Sequence, residues 1–256
     1  MRKIIFLTIA TIFIACSKEG SGSKTEEKQN FPKRIVQINK NNELSAKIYY
    51  ENNLLSGIDH FKESKLNSRQ KMFYDKNGLM TKKEYYDNSN ILRSYQIYHY
   101  TGNLVVKREN FVSDNQGGFH LRSYSTHENR AAKMNNLIGT KYYEKGVLKE
   151  YYTIEYIDEL GSSNSTGYDA QGNKIYVETW VKDSKIAFDK YFGGYPYQHE
   201  HNNISITHKN FVDDKKSWSY TSVFTYDEQG HPLKSVKTNS DKTVETYEYI
   251  WEEIKK

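Results

Sequence analysis

Tyr74-Asp75-Lys76-Asn77-Gly78-Leu79 is the stretch that decides the fold. An aromatic residue, suited to the end of a strand, is followed by an acid whose oxygen can accept from a backbone N–H two residues on. Two polar residues come next, and then a glycine that accepts the positive φ a tight reversal demands. Leu79 restarts an apolar position. The six residues spell strand, turn, strand.

Variants of the phrase recur outward in both directions: Tyr50-Glu51-Asn52-Asn53-Leu54, Tyr86-Asp87-Asn88-Ser89-Asn90-Ile91, Tyr100-Thr101-Gly102-Asn103-Leu104, Tyr143-Glu144-Lys145-Gly146-Val147, Tyr168-Asp169-Ala170-Gln171-Gly172-Asn173 and Tyr226-Asp227-Glu228-Gln229-Gly230-His231. Tyr50, Tyr74, Tyr86 and Tyr100 lie 24, 12 and 14 residues apart, steps that fit a strand plus a turn or a whole hairpin. The flanks alternate with period two. Trp218, Tyr220, Ser222, Phe224 and Tyr226 share one face, as do Tyr247, Tyr249 and Trp251, while Val177, Thr179 and Val181 oppose Tyr176, Glu178 and Trp180. No comparable stretch has helical spacing. The pattern predicts an all-β fold, an antiparallel β-hairpin meander over residues 31–256, curved into an open sheet or half-barrel so that aromatic side chains enclose a narrow core. Regularity breaks at 127–140, where Arg130-Ala131-Ala132-Lys133-Met134 has room for a helical turn, and at 159–167, read as a Ser/Gly loop.

The Tyr-Asp-x-x-Gly phrase resembles the tyrosine-aspartate repeat of Rhs-like proteins. Tyr143-Glu144-Lys145-Gly146-Val147-Leu148 is similar to the MORN-like repeat of small exported bacterial proteins. Both resemblances imply hairpins in succession that serve as shells, scaffolds or binding surfaces, with no catalytic residue in the repeat. The MORN-like one also implies an alternative role, an immunity-type protein that neutralises a toxin.

The amino terminus gives an address. Arg2 and Lys3 precede an apolar run, Ile4–Ala15, that ends at Cys16, the single cysteine. The run is too short to span a bilayer, which needs about 20 apolar residues, and Lys18-Glu19 close it. Phe13-Ile14-Ala15-Cys16 resembles the lipobox of bacterial lipoproteins, which implies a signal peptide over residues 1–15 and lipid attachment at Cys16. Residues 16–30 hold nothing apolar to bury and read as a flexible tether. Ser17-Lys18-Glu19 resembles the export signal of surface lipoproteins of the Bacteroidota. The expected location is the cell envelope, lipid-anchored, at the outer membrane. Loss of residues 1–15 would take two cations and no acid, lowering the formal charge from +5 to +3.

Composition narrows the chemistry. With Cys16 lipidated, neither a disulfide nor a thiolate site can form. No Lys/Arg block tracks a phosphate backbone, which together with the envelope address excludes nucleic acid as partner. No Gly-x-Ser-x-Gly elbow, phosphate loop or dinucleotide fingerprint is present, so neither enzyme nor cofactor is expected. His199-Glu200-His201 is the densest set of potential metal ligands, with His208 as a third; a polar loop after Gly193-Gly194 is the preferred reading, and no metal is assigned. The unusual count is 23 Tyr in 256 residues at a mean hydropathy of −0.88. Rows of such rings pack across strands and hold the sheet together, which is the preferred reading, or, where exposed, stack on sugars or accept a peptide. Trp180, Trp218, Trp251, Tyr195 and Tyr197 are the candidate contacts. The expected function is a non-catalytic envelope lipoprotein that binds a protein or glycan through an aromatic sheet face; an envelope hydrolase ranks behind it.

Overall fold

The computed structural model describes residues 33–114, 117–129, 137–187 and 201–254. It contains sixteen strands: β1 Lys33–Lys40, β2 Glu43–Glu51, β3 Leu54–Lys62, β4 Lys65–Tyr74, β5 Met80–Asp87, β6 Leu92–Thr101, β7 Leu104–Ser113, β8 Phe119–Asn129, β9 Leu137–Glu144, β10 Val147–Tyr156, β11 Ser163–Asp169, β12 Lys174–Ile186, β13 His201–Asn210, β14 Trp218–Tyr226, β15 Pro232–Asn239 and β16 Val244–Glu253. Each pairs antiparallel with its chain neighbours, as the hairpin reading requires. The expected open sheet or half-barrel is corrected: β1 also pairs with β16, from Lys33↔Glu253 to Lys40↔Tyr247, and the meander closes into a barrel. The seam sets Ile35 against Trp251 and Ile38 against Tyr249. Closure pairs backbone groups that an open sheet would leave bare on two edge strands. The Ser/Gly stretch 159–167 is also corrected, since Ser163–Gly167 belong to β11. Residues 130–136 lie outside the described residues.

The turns perform the expected chemistry. Asp75 Oδ1 accepts from the Asn77 and Leu79 N–H groups at 2.8 and 2.9 Å, and Gly78 has φ +79°. Asp87, Asp169 and Asp227 repeat the arrangement, and these bonds help hold their carboxyls below the usual range. Two-residue turns at Asn41-Asn42 and Asn52-Asn53 use the tolerance of Asn for positive φ.

Alternation gives the wall two faces. The inward face is the more buried, and one end of it is apolar: Ile35, Leu55 and Met80 are fully buried, with Ile48, Met72, Tyr98, Val105 and Tyr249 around them. Buried carbonyls here need partners. Side chains on the second strand of a hairpin reach back to the first. Tyr50, Tyr74, Tyr100 and Tyr156 donate through their hydroxyls to the carbonyls of Ile35, Leu55, Met80 and Leu137 at 2.6–3.0 Å. Trp251 Nε1 donates to Pro232 at 2.8 Å. Three of the recurrent tyrosines, Tyr50, Tyr74 and Tyr100, are therefore pegs as well as turn markers, each bond contributing about 1 kcal/mol.

On β2 to β5 and on β7 the outward face is charged at the middles of strands. Lys47, Asp59 and Arg69 face one another across β2, β3 and β4, and Lys71 faces Glu84 across β4 and β5. Arg69 binds both oxygens of Asp59, at 2.6 and 2.9 Å. Lys107 and His99 meet Glu109, each at 2.7 Å. Tyrosines lie flat between these charges, stacked across strands as Tyr124–Tyr143 and Tyr151–Tyr168 at 4.6 and 4.9 Å.

Candidate functional site

Opposite the apolar end, inward residues of β12, β13 and β14 form a row of rings. Tyr176 stacks on His208 at 5.1 Å, His208 on Trp218 at 5.4 Å with planes 2° apart, and Trp218 lies 6.2 Å from Tyr220. Register explains it: Glu178 pairs with His208, and His208 with Trp218, so their side chains emerge on the same face. Trp218 opens β14 and is 42% exposed, so the row presents a ring face to solvent. Glu178 lies beside it, accepting from Trp180 Nε1 at 3.2 Å, with Oε1 at 2.9 Å from His208 Nδ1. Burial, Glu178 and Glu150 raise the Tyr176 hydroxyl above its ordinary range, so it remains a neutral donor. The row ends under Lys237, whose Nζ stands 4.4 Å above the Tyr220 ring and 3.5 Å from Glu245.

Tyr176 keeps its place because residue 167 has no side chain. A Cβ on Gly167 would stand 2.2 Å from Tyr176 Cε1, so the ring lies against bare backbone of β11. Beyond Gly167 the same inward level continues through Tyr152, Thr140 and His127. It opens there into a cavity of about 330 Å³ lined by Arg108, Ser125, His127, Thr140, Tyr142, Glu150 and Tyr152, with Leu137 at its edge. His127 Nδ1 is 2.9 Å from Thr140 Oγ1, and Nε2 is 3.1 Å from Ser125 Oγ. A neutral imidazole has one donor and one acceptor, and a hydroxyl satisfies either. Burial, with Arg108 nearby, lowers this ring to about 4. Lys83 is lowered to about 8 by the same two causes in the same order. Cavity and ring row form one band from β7 to β15, supplying ring faces, hydroxyls and charges of both signs.

The candidate tryptophans separate by location. Trp218 is in the row and Trp180 borders it through Glu178. Trp251 is at the apolar end, tied to Pro232 and 5.0 Å from the His231 ring. Tyr195, Tyr197, His199 and Cys16 lie outside the described residues. His201 Nδ1 is 3.1 Å from the Lys185 carbonyl, and His208 is seven positions further along β13, stacked between rings. Among the described residues no three His, Cys, Asp or Glu are placed to hold a metal. Sequence alone assigns Tyr176, Tyr220, Arg108 and His127 no site role. Alternation placed Tyr176 and Tyr220 on faces, but only strand register could bring those faces together.

Neither protein-family models nor curated proteins match the sequence. Solved structures do. A porin-like protein from Bacteroides uniformis has TM-score 0.53 and 11% identity, covering 85% of this chain and 98% of that one. A porin-like protein from Bacteroides vulgatus covers the same shares at 7% identity and TM-score 0.31. At this identity the first likeness shows a common fold and nothing finer.

Proposed function

We propose that the chain is a non-catalytic binding protein of the cell envelope, a barrel standing in water, tethered to the outer membrane by lipid on Cys16, and gripping a glycan along its inward band. The observation that carries this reading is the row Tyr176–His208–Trp218–Tyr220, with Glu178 beside it and the hydroxyl-lined cavity at its end. Sugar rings offer C–H faces to aromatic faces and hydroxyls to carboxylates and phenols. An immobile row of rings meets successive sugars at little entropic cost. The charged outward face supports water as the surrounding medium, because a lipid-facing wall needs an apolar band about 25 Å tall. The lipobox-like Phe13-Ile14-Ala15-Cys16 supports the tether.

Titration of the purified chain with a panel of oligosaccharides, read by tryptophan fluorescence and calorimetry, tests the proposal. At least one oligosaccharide is expected to bind, to be recovered unchanged after incubation, and to lose about tenfold or more in affinity with Trp218→Ala, the scale of one stacked ring. Binding unaffected by Trp218→Ala, or cleavage of the ligand, would overturn it.

A further inference from the structure

The outer wall has a second flank, unlike the charged one. Strand register lines up Val181 with Ser205, Ser205 with Thr221, Thr221 with Thr238 and Thr238 with Val244, a row that crosses β12 to β16. One adjoining level sets Thr179 against Thr207, and the other sets Val223 against Val236 and Val236 against Thr246. These ten positions alternate along their strands with inward residues such as Trp180 and Tyr220, so they face outward. Charge returns at the margins, with Lys209 opposite Val177 and Lys234 opposite Glu248. In a ring of sixteen strands β14 is eight places from β6, so this flank lies across the barrel from the charged strands. Charged residues make up 27% of the chain, which would place about three among ten surface positions, and these ten carry none. Val223 is 70% exposed and Val244 54%, so the flank is open to a partner.

Resting on the lipid-anchored reading above, we propose that this flank lies against the bilayer that holds the anchor, at the depth of the lipid headgroups. Docking it removes no charge from water, whereas docking the opposite flank would strip Lys47, Arg69 and Lys71 of solvent. Valine and threonine are stiff at χ1, so ordering them costs little, and the threonine hydroxyls bond to headgroups or to water. Phe211 and Val212 follow β13 at the margin of the flank and are exposed, with Lys174 and Lys209 at 4.9 and 5.4 Å from the Phe211 ring. Rings at the headgroup boundary and amines that reach outward from it are the usual rim of a lipid-facing surface. Residues 16–32, outside the described residues, join the barrel at Lys33 on β1, three strands from β14. Seventeen residues reach at most about 60 Å, beyond the roughly 33 Å of a ten-residue strand, so the flank can meet the bilayer. The tether makes that encounter intramolecular, and a contact too weak to hold a free barrel then suffices. A second copy is the poorer occupant, because two convex walls meet over few strands while a lipid surface yields to one. The charged flank faces water, and the mouth beside Trp218 opens along the membrane surface.

The test uses the full chain, purified from membranes with its acyl groups and reconstituted into vesicles of phosphatidylethanolamine and phosphatidylglycerol. Cys16 being acylated, Val223→Cys and, in a separate chain, Lys71→Cys each offer one thiol to a polarity-sensitive dye. On reconstitution the dye at position 223 is expected to shift to the blue and to be quenched by lipid carrying a nitroxide on its headgroup. The dye at position 71 should show neither change. Thr221→Glu together with Val236→Glu, both outward and beside position 223, should abolish the shift and the quenching there. Equal signals at the two positions, no signal at 223, or a signal that survives both glutamates would overturn the docked flank; acyl mass on Cys16 in the same sample would leave the anchor standing. A blue shift without nitroxide quenching, growing with the surface density of the protein, would assign the flank to a second copy and overturn the lipid occupant. Absence of acyl mass on Cys16 in the chain taken from membranes would overturn the anchor and the docked flank together.

Discussion

Gly167→Ala is the sharpest perturbation of the band. The added methyl would stand 2.2, 2.3 and 2.6 Å from Tyr176 Cε1, Cζ and Cδ1, well inside contact distance. Backbone in a closed ladder between β10 and β12 cannot retreat by an ångström, so the phenol must turn away. Turning out a half-buried aromatic ring forfeits about 1–1.5 kcal/mol, half the value of full burial. The lost stack on His208 adds about 0.5–1.5 kcal/mol. Alanine returns about 0.4–1 kcal/mol by restricting the unfolded chain. The net loss is about 1–2 kcal/mol, and at about 2–4 °C per kcal/mol for a domain of this size the melting temperature should fall by about 2–8 °C. The near-UV circular dichroism of the row should weaken, and affinity for the oligosaccharide should drop about tenfold. A double-mutant cycle isolates the cause. In a Tyr176→Ala background the methyl meets no ring, so Gly167→Ala should be neutral or stabilising there. Equal destabilisation in the two backgrounds would refute the account of Gly167 as the seat of Tyr176.

Three further outcomes follow from groups elsewhere on the wall. Arg69→Ala leaves the buried Asp59 carboxylate with only the Tyr49 hydroxyl and is expected to cost about 1–3 kcal/mol in urea denaturation, more than Tyr49→Phe, with the Asp59 carboxyl rising from its lowered position as read by NMR titration. His127 is neutral in the fold down to about 4 against 6.5 unfolded, so below about pH 6.5 the unfolded chain binds a proton that the fold refuses, and stability declines until about pH 4. The full difference bounds the loss at about 3 kcal/mol, and partial solvent screening reduces it to about 1–2 kcal/mol; His127→Gln should remove this portion of the acid sensitivity between pH 7.5 and 4.5. With residues 1–15 removed and Cys16 replaced by Ser, the chain should purify as a single species without detergent; aggregation reversed by detergent micelles would contradict the water-facing wall.

Much of this architecture is legible in the sequence. Asp75 and Gly78 announce their turn because the bonds that make it are local, within four residues. Period two announces the faces for the same reason. Closure is not legible, since the pairing of Ile35 with Trp251 joins residues far apart in the sequence and leaves no local mark. The band is half legible. Trp218 stands out as a large ring on an alternating strand, whereas His208 reads as a ligand or a surface polar residue until register sets it between Tyr176 and Trp218. Gly167 reads as part of a loop because glycine and serine are turn formers. In β11 they serve another purpose, leaving room on the inward face for the rings of β12. Sequence reveals what a residue prefers, and the use of an empty side chain depends on what is packed over it.

A common fold with a porin-like protein does not fix the solvent around the barrel, and the outward side chains bear on it. At the middle of a bilayer a cationic side chain on the lipid face costs about 2–4 kcal/mol. Lys47, Arg69, Lys71, Lys82 and Lys107 project outward from β2, β4, β5 and β7, and together would approach or exceed about 10 kcal/mol, as much as a domain's whole stability. The exposed outward Tyr49 and Phe73 share their strands with these charges, so on this part of the wall the apolar side chains are interrupted. Pairing Arg69 with Asp59 or Lys107 with Glu109 lowers that cost without supplying the apolar contact that lipid requires. The cations on this part of the wall support the proposed reading of a barrel in water, in which residence at a membrane comes from a separate device. An acyl anchor on Cys16 with a polar tether is such a device, and it would leave both the charged wall and the mouth beside Trp218 in water, where a soluble oligosaccharide can reach the ring row.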